Sequence, residues 1–401
     1  MSKQITHVIG TFLISGKGAF LNSPGTENGV TVPKTFYTLD ERGKQVRIPY
    51  VASQAWKRWL RETFKEENPN EPKSIIKVLQ VDERKHTPKK IGTDMNPLTY
   101  AEDDIFGYMR TLGKDDDNCD DTDSQEIVDP DSVDEENDTI KRSVKDKSKN
   151  SFAAKPLIRT SPFQASILTS IRKVSSRTED VGWVRPTGAA QEIIDNNTQY
   201  TMDSLGYKTE FYDTNLQGIF GLAYYRLGVF RNEGDRIELD VELERTYLSE
   251  GLIKKIDNER RIYEVVDNKR KDRTSKILQA LVNMRGGAKQ TAFASPVHPQ
   301  VILLAGLSFG NLIFNNLFKD TVEGPELNID ALIEILNDYK NRLATKVYIG
   351  IRTGYLNPEN EKRLKTEKWE DGINVVVTTP IQAVEKFILE LPNVGLEIKE
   401  V

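Results

Sequence analysis

Between Arg47 and Phe64 the chain reads RIPYVASQAWKRWLRETF. Gln54, Lys57, Arg58, Arg61 and Lys65 recur at offsets that put them on one face of a helix. Trp56, Trp59, Leu60 and Phe64 fall on the opposite face. Ser53 stands near the helix start, where a hydroxyl can take up orphan backbone N–H groups. Those N–H groups and the helix dipole favour an anion such as phosphate. A helix end followed by a basic stripe suits a sugar-phosphate backbone, although a solvated helix face carries the same pattern.

Two further stretches could bring backbone and cations to phosphate. Asn22 to Lys34 is a Gly- and Pro-rich loop that ends in Pro33-Lys34-Thr35. It is no nucleotide P-loop, because no G-x-x-x-x-G-K-[ST] occurs in the chain. Arg285-Gly286-Gly287-Ala288-Lys289-Gln290 sets glycines between cations, which permits close backbone approach to a ligand or simply ends a helix. Nine Lys/Arg against five Asp/Glu between Lys254 and Lys276 add positive field without sharp geometry.

Catalytic patterns are thin. The three histidines, His7, His86 and His298, form no His-x-x-x-His pair. Cys119 is the single cysteine, which excludes an internal disulfide and any Cys-rich zinc or iron–sulfur site. The acidic run DDDNCDDTD at 115–123 lacks the ligand order and glycine of a calcium loop and reads as a solvated tether. No cofactor or metal site is expected, and the chain is read as a non-enzyme.

The elements that must position these residues follow from periodicity. Ile5 to Leu21 alternates as a long strand, Thr35 to Pro49 reads as a hairpin turning at Asp40–Gly43, and Tyr50 to Glu67 is the helix. A short helix is expected over Ala101 to Leu112, a strand over Pro156 to Ile171 and a long strand over Thr209 to Phe230. Residues 251–265 read as helical or irregular and Gln290 to Leu304 as strand-like. Helices are expected over Arg273 to Met284, Ile329 to Leu343 and Thr379 to Leu389, and a strand over Thr345 to Ile351. The order strand, helix, strand, strand, helix, strand predicts an α+β fold of the split βαβ, ferredoxin-like class with insertions, the topology of the RNA-recognition fold.

Charge patterning agrees with a nucleic-acid partner. The formal charge is −5, but 13 of the 24 residues from Asp115 to Asp138 are acidic and none is Lys or Arg. Outside that run the chain holds 56 basic against 48 acidic residues, or +8, and the first 90 residues alone carry +7. Residues 113–150 are expected to remain disordered, because they hold too little apolar surface to order themselves. Apolar runs such as Val301 to Leu307 are far short of a membrane span, and no secretory signal is visible. A soluble cytoplasmic protein with no membrane partner is expected.

These stretches occur in a recognisable order. Asn22 and Pro33-Lys34 come first, then Ser-Gln-x-x-Lys-Arg-x-x-Arg, then Ile105-Phe106-Gly107-Tyr108-Met109. Pro156-Leu157-Ile158-Arg159-Thr160-Ser161, Asn215-Leu216-Gln217-Gly218 and Gly-Gly-Ala-Lys-Gln follow. In this the chain resembles the crRNA-binding backbone subunit of type I CRISPR effector (Cascade) complexes, and more closely the DevR/Cst autoregulator branch of subtype I-B within the RAMP superfamily.

The resemblance implies a modified RNA-recognition palm with helical fingers and a thumb hairpin. It implies a palm over 1–70, 153–172 and 209–401, fingers over 71–152 and a thumb over 173–208 that includes Trp183. Copies would polymerise head to tail along crRNA, with target DNA and other Cascade subunits as further partners. Lys34, Gln54, Lys57 and Arg61 become crRNA contacts. Asn22, Ser53, Arg58, Arg159, Gly286, Gly287, Lys289 and Gln290 complete the expected RNA-binding set. Ala52 stands where relatives often carry a second serine. Two alternatives stay open at this level. One is a metal-dependent target-RNA endonuclease of the type III backbone kind, using Asp180, Asp195 or Asp203 of the expected thumb. The other is a stand-alone transcriptional regulator.

Overall fold

A computed structural model describes residues 4–40, 42–82, 87–110, 156–172, 178–184, 205–234, 236–267 and 269–392. The acidic segment 113–150 therefore lies outside the described residues, as does most of 173–208. The chain forms two compact units. The first comprises Met1–Pro69, Gln164–Tyr225 and Thr274–Val401, and the second Asn70–Phe163 and Arg226–Arg273.

The first unit is built on one large sheet. Its principal strands are β1 (His7–Ala19), β2 (Thr35–Leu39), β3 (Gln45–Val51), β4 (Leu168–Ser170), β5 (Leu205–Leu222), β6 (Val301–Leu307), β7 (Val347–Ile351) and β8 (Val375–Thr378). They lie in the order β8-β7-β6-β1-β5-β4-β3-β2. Within it, β6-β1-β5-β4 are mutually antiparallel neighbours. The helix α1 (Ser53–Glu67) stands between β1 and β4 in sequence, and α2 (Arg270–Val282) between β5 and β6. This is the βαββαβ connection and strand order of the ferredoxin-like class, so the fold is α+β around an RNA-recognition-type sheet.

The two faces of the sheet bury different residues because side chains alternate along each strand. On one face Phe12 packs edge-on against Trp56 of α1, with ring centroids 5.5 Å apart, and also meets Phe220. On the other face Ile9 and Leu13 join Val301 and Leu303 in a cluster with Leu332 and Leu336 of α3 (Ile329–Asp338). Asn328 caps α3 by accepting from the Ala331 N–H. The helix α4 (Pro380–Glu390) starts at a proline after a Thr379 cap, and Phe387 meets Tyr348 of β7 edge-on.

The second unit carries a six-stranded sheet and two short helices, Ala101–Phe106 and Val241–Ser249, among its described residues. Its strands come from both parts of the unit, with Ile237 pairing beside Leu157 and Val229–Arg231 beside Ile262–Glu264.

Three local expectations are corrected. The helix expected to reach Leu112 stops at Phe106, because Gly107 takes φ +70° and a Cβ there would meet the Arg159 carbonyl. Residues 251–265 form a hairpin, Ile253–Asp257 with Ile262–Val265, turning through Arg261 at φ +51°. The strand expected from Gln290 begins only at Val301. The one-turn helix Gln290–Phe293 precedes it, bracketed by left-handed Lys289 and Ala294. Among the described residues no helix is long and apolar enough to cross a membrane.

Candidate nucleic-acid interface

Helix α1 begins directly out of β3. Ala52 is its N-cap, with ψ 143° and no side-chain cap hydrogen bond, and its carbonyl accepts from the Ala55 and Trp56 N–H groups. Ser53 is the first helical residue, so the expectation that its hydroxyl caps the helix is corrected. Among the described residues, no side chain caps the backbone N–H groups at the helix start. Trp56, Trp59, Leu60, Thr63 and Phe64 are buried. The Trp56 indole also donates to the Ser166 carbonyl at 2.6 Å, which fixes the rotation of α1 on the sheet. Gln54 is thereby held at the surface and Lys57 and Arg61 are half-buried. Arg58 is exposed and pairs with Glu62 at 2.9 Å. Lys57 makes no ion pair among the described residues.

The 22–34 loop is closed at its neck. The Lys34 N–H donates to the Asn22 carbonyl at 2.9 Å, and the Tyr50 N–H donates to the Lys34 carbonyl at 3.0 Å. The second bond ties Lys34 to β3 three residues before α1 starts. Between the neck residues the loop forms a small hairpin, Gly25–Glu27 with Val30–Val32, turning at Asn28-Gly29, both with positive φ. Val30 and Thr31 pair in parallel with Lys208 and Thr209 of β5. The Lys34 ammonium has no ion-pair partner among the described residues.

The turn at 285–290 docks on the other end of α1. The Arg285 N–H donates to the Thr63 hydroxyl at 3.0 Å, and the guanidinium pairs with Glu66 and Glu67 at 3.3 and 3.1 Å. Gly286 has φ +145°, and a Cβ there would stand 2.4 Å from the Trp59 ring. Gly287 has φ +103°, and a Cβ there would stand 2.8 Å from Leu21. These glycines admit protein neighbours, which accounts for both without a ligand. The Gln290 amide turns back to the Gly286 carbonyl. Lys289 donates to the Thr209 hydroxyl at 2.8 Å and lies 5.2 Å from the centre of the Phe20 ring. Phe293 packs against both Phe20 and Phe211.

The tertiary structure thus links the three sequence-separated stretches through the end of β1 and the first half of β5. Asn22, Lys34 and the α1 start meet through the loop neck, and Lys289 joins through Thr209, which also pairs with Thr31. The missed connector is Thr209, whose only sequence signal is its place in a strand. Thr178–Val184 pairs antiparallel with Leu205–Phe211, setting Trp183 opposite Gly206 and Asp180 opposite Thr209. The Trp183 side chain, Asp195 and Asp203 lie outside the described residues.

Arg159 is withdrawn from the RNA-binding set. Its side chain is fully buried in the second unit, where the guanidinium pairs with Asp104 and, at 3.1 Å, with Glu238. It donates to the Val229 and Arg226 carbonyls at 3.0 Å and lies 4.7 Å from the Phe230 ring centre. Burial opposes its charge, but Asp104 and Glu238 outweigh that and hold the guanidinium protonated. Arg273 shares Asp104, so the group is a buried charge cluster with no face for a ligand.

No family model matches the chain, and no curated protein matches it in sequence. Among solved structures it is similar to a chain of a "CRISPR RNA-guided surveillance complex", at 12% identity and TM-score 0.41, covering 96% of this chain and 99% of that one. A second similar chain belongs to a "CRISPR RNA-guided surveillance complex, pre-nicking", at 11% identity and TM-score 0.47, covering 96% and 100% respectively.

Proposed function

We propose that the chain is a non-catalytic crRNA-binding backbone subunit of a type I CRISPR effector complex, of the subtype I-B kind. It polymerises along the crRNA and supports guide–target DNA pairing in the cytoplasm, with other Cascade subunits as partners. The observation that carries the reading is the joint between Lys34 and α1. A lysine without an ion-pair partner among the described residues is tied by its own backbone to the strand that launches a helix whose N-terminus no side chain among them caps. The first turn of that helix presents Gln54 and Lys57. A cation, free N–H groups and an amide so arranged suit successive backbone phosphates and sugars. The ordered motifs of the sequence add the crRNA assignment, and the ferredoxin-type sheet supplies the matching frame. In such a complex base identity is read by guide–target pairing while the protein holds backbone shape.

The test is purification of the full chain with and without a crRNA expressed beside it. The reading expects RNA-bound, open-ended oligomers whose formation weakens steeply with salt. RNA-free protein, or a flat salt response, would remove it. Incubation of the same particles with target RNA and a divalent metal addresses the endonuclease alternative. The proposal expects intact RNA.

A further inference from the structure

The face of the large sheet that faces away from α1 is only half covered. Over β6 and β1 it is sealed by α3, but over β5, β4, β3 and β2 it forms a groove of about 1060 Å³. Phe36, Ile48 and Ile219 supply apolar lining, Thr169 and Gln217 stand opposite each other on neighbouring strands, and Arg42 lies at the rim. All six belong to the first unit.

Two hydrogen bonds orient the Gln217 amide on the floor. The Thr11 hydroxyl donates to the Gly218 carbonyl at 3.0 Å, so it can only accept from the Gln217 amide nitrogen, also at 3.0 Å. One of the two N–H bonds of the Gln217 amide is committed there, and its carbonyl oxygen remains as an acceptor. The Thr169 hydroxyl beside it has no hydrogen bond among the described residues. Arg42 likewise has no ion pair among them, whereas Arg172 and Lys319 of the same groove are held by Asp320 and Glu326.

We propose that this groove binds one unstacked nucleotide whose base carries an exocyclic amine, cytosine or adenine. The base lies against Phe36 and the aliphatic wall, its amine donates to the Gln217 oxygen, and the Thr169 hydroxyl donates to the adjacent ring nitrogen. Arg42 takes the phosphate. Aromatic walls with a few side-chain hydrogen-bonding groups are how single-stranded bases are held. An extended peptide fits the floor less well, because β3, β4 and β5 are each paired on both sides and only the edge strand β2 has a free side. The inference rests on the chain's being a nucleic-acid binder but uses none of the α1 residues.

The experiment is fluorescence anisotropy of the full chain with labelled 12-mers of rC, rA, rU, dC and dT at fixed salt. Wild type should prefer rC and rA over rU, and dC over dT, several-fold. The tighter of rC and dC identifies guide or target strand as the source. Thr169→Val, close to isosteric, should abolish the preference, and Arg42→Ala, at an exposed site, should weaken every oligomer equally. Gln54→Ala/Lys57→Ala should lower affinity throughout and keep the preference. Equal binding of all bases by wild type, or an undiminished preference in Thr169→Val, would overturn the proposal while leaving the crRNA reading intact. Absence of any oligonucleotide binding would overturn both.

Discussion

Lys57 and Gln54 lie one turn apart on α1, on the side away from the buried Trp56 and Trp59. Neither side chain is used by the fold among the described residues. Replacing both with alanine should therefore cost only a few tenths of a kcal/mol of stability. If the helix start lies on RNA, loss of one cation–phosphate contact lowers the salt slope by about one unit. A filament repeats the defect in every copy. Gln54→Ala/Lys57→Ala should melt like wild type yet assemble poorly on crRNA with weaker salt dependence. Wild-type assembly would count against the interface. Arg159 shows the opposite case at the same scale. Its residue type in a Pro-Leu-Ile-Arg-Thr-Ser string suits RNA as well as it suits a buried pair, and only Asp104 and Glu238 distinguish the two.

The turn at 285–290 acts as a bracket between α1 and the end of β1. Gly286 combines a positive φ with a position where a Cβ would stand 2.4 Å from Trp59, so no L side chain fits without moving one of them. Gly286→Ala should destabilise by about 1–3 kcal/mol, read as a lower denaturant midpoint, and loosen Lys289 from Thr209. In the second unit, the helix Val241–Ser249 is pinned to its sheet by Glu244, which accepts from Asn232 and Arg261 at 2.6 Å and from Tyr263. Burial would raise the pKa of Glu244, but the hydrogen bonds from Arg261, Tyr263 and Asn232 outweigh it and lower the pKa below the usual range. A lowered carboxyl pKa stabilises the fold above the unfolded value, about 4.3, and that contribution fades as pH falls further. Glu244→Gln should flatten the acid limb of a melting-temperature profile below about pH 4.3. An unchanged limb would show that other carboxylates set it.

For the whole molecule the sharpest contrast is between the acidic run and the rest. Asp115 to Asp138 carries 13 acidic residues and almost nothing apolar, while Lys141 to Lys149 is basic. A stretch so poor in apolar surface contributes little burial. Deleting 113–150 should leave the melting temperature nearly unchanged, and a drop of many degrees would show that it packs. The same deletion in the assembled complex tests whether the basic half helps to hold target duplex DNA. The proposal expects weaker target binding with crRNA binding preserved.

What the sequence determined by itself was whatever depends on neighbours along the chain. Alternation marked β1 and β5, the helical spacing of Trp56, Trp59 and Phe64 marked α1, and Asp40–Gly43 marked the β2–β3 turn, where the Asp40 carboxylate accepts from Arg42 and Lys44. The basic stripe was legible for the same reason, since its spacing is the helix's own. The strand order was inferable only as a class, because pairing such as Ile237 with Leu157 depends on long-range closure. The structure alone decided which cations are spent inside the protein. Arg159, Arg285 and Lys289 find Asp104, Glu66 and Glu67, and Thr209 through contacts remote in sequence, while Lys34 and Lys57 find no ion pair among the described residues. The groove over β4 and β5 was illegible for the same physical reason. Thr169 and Gln217 are 48 positions apart, and only the antiparallel register sets them opposite each other.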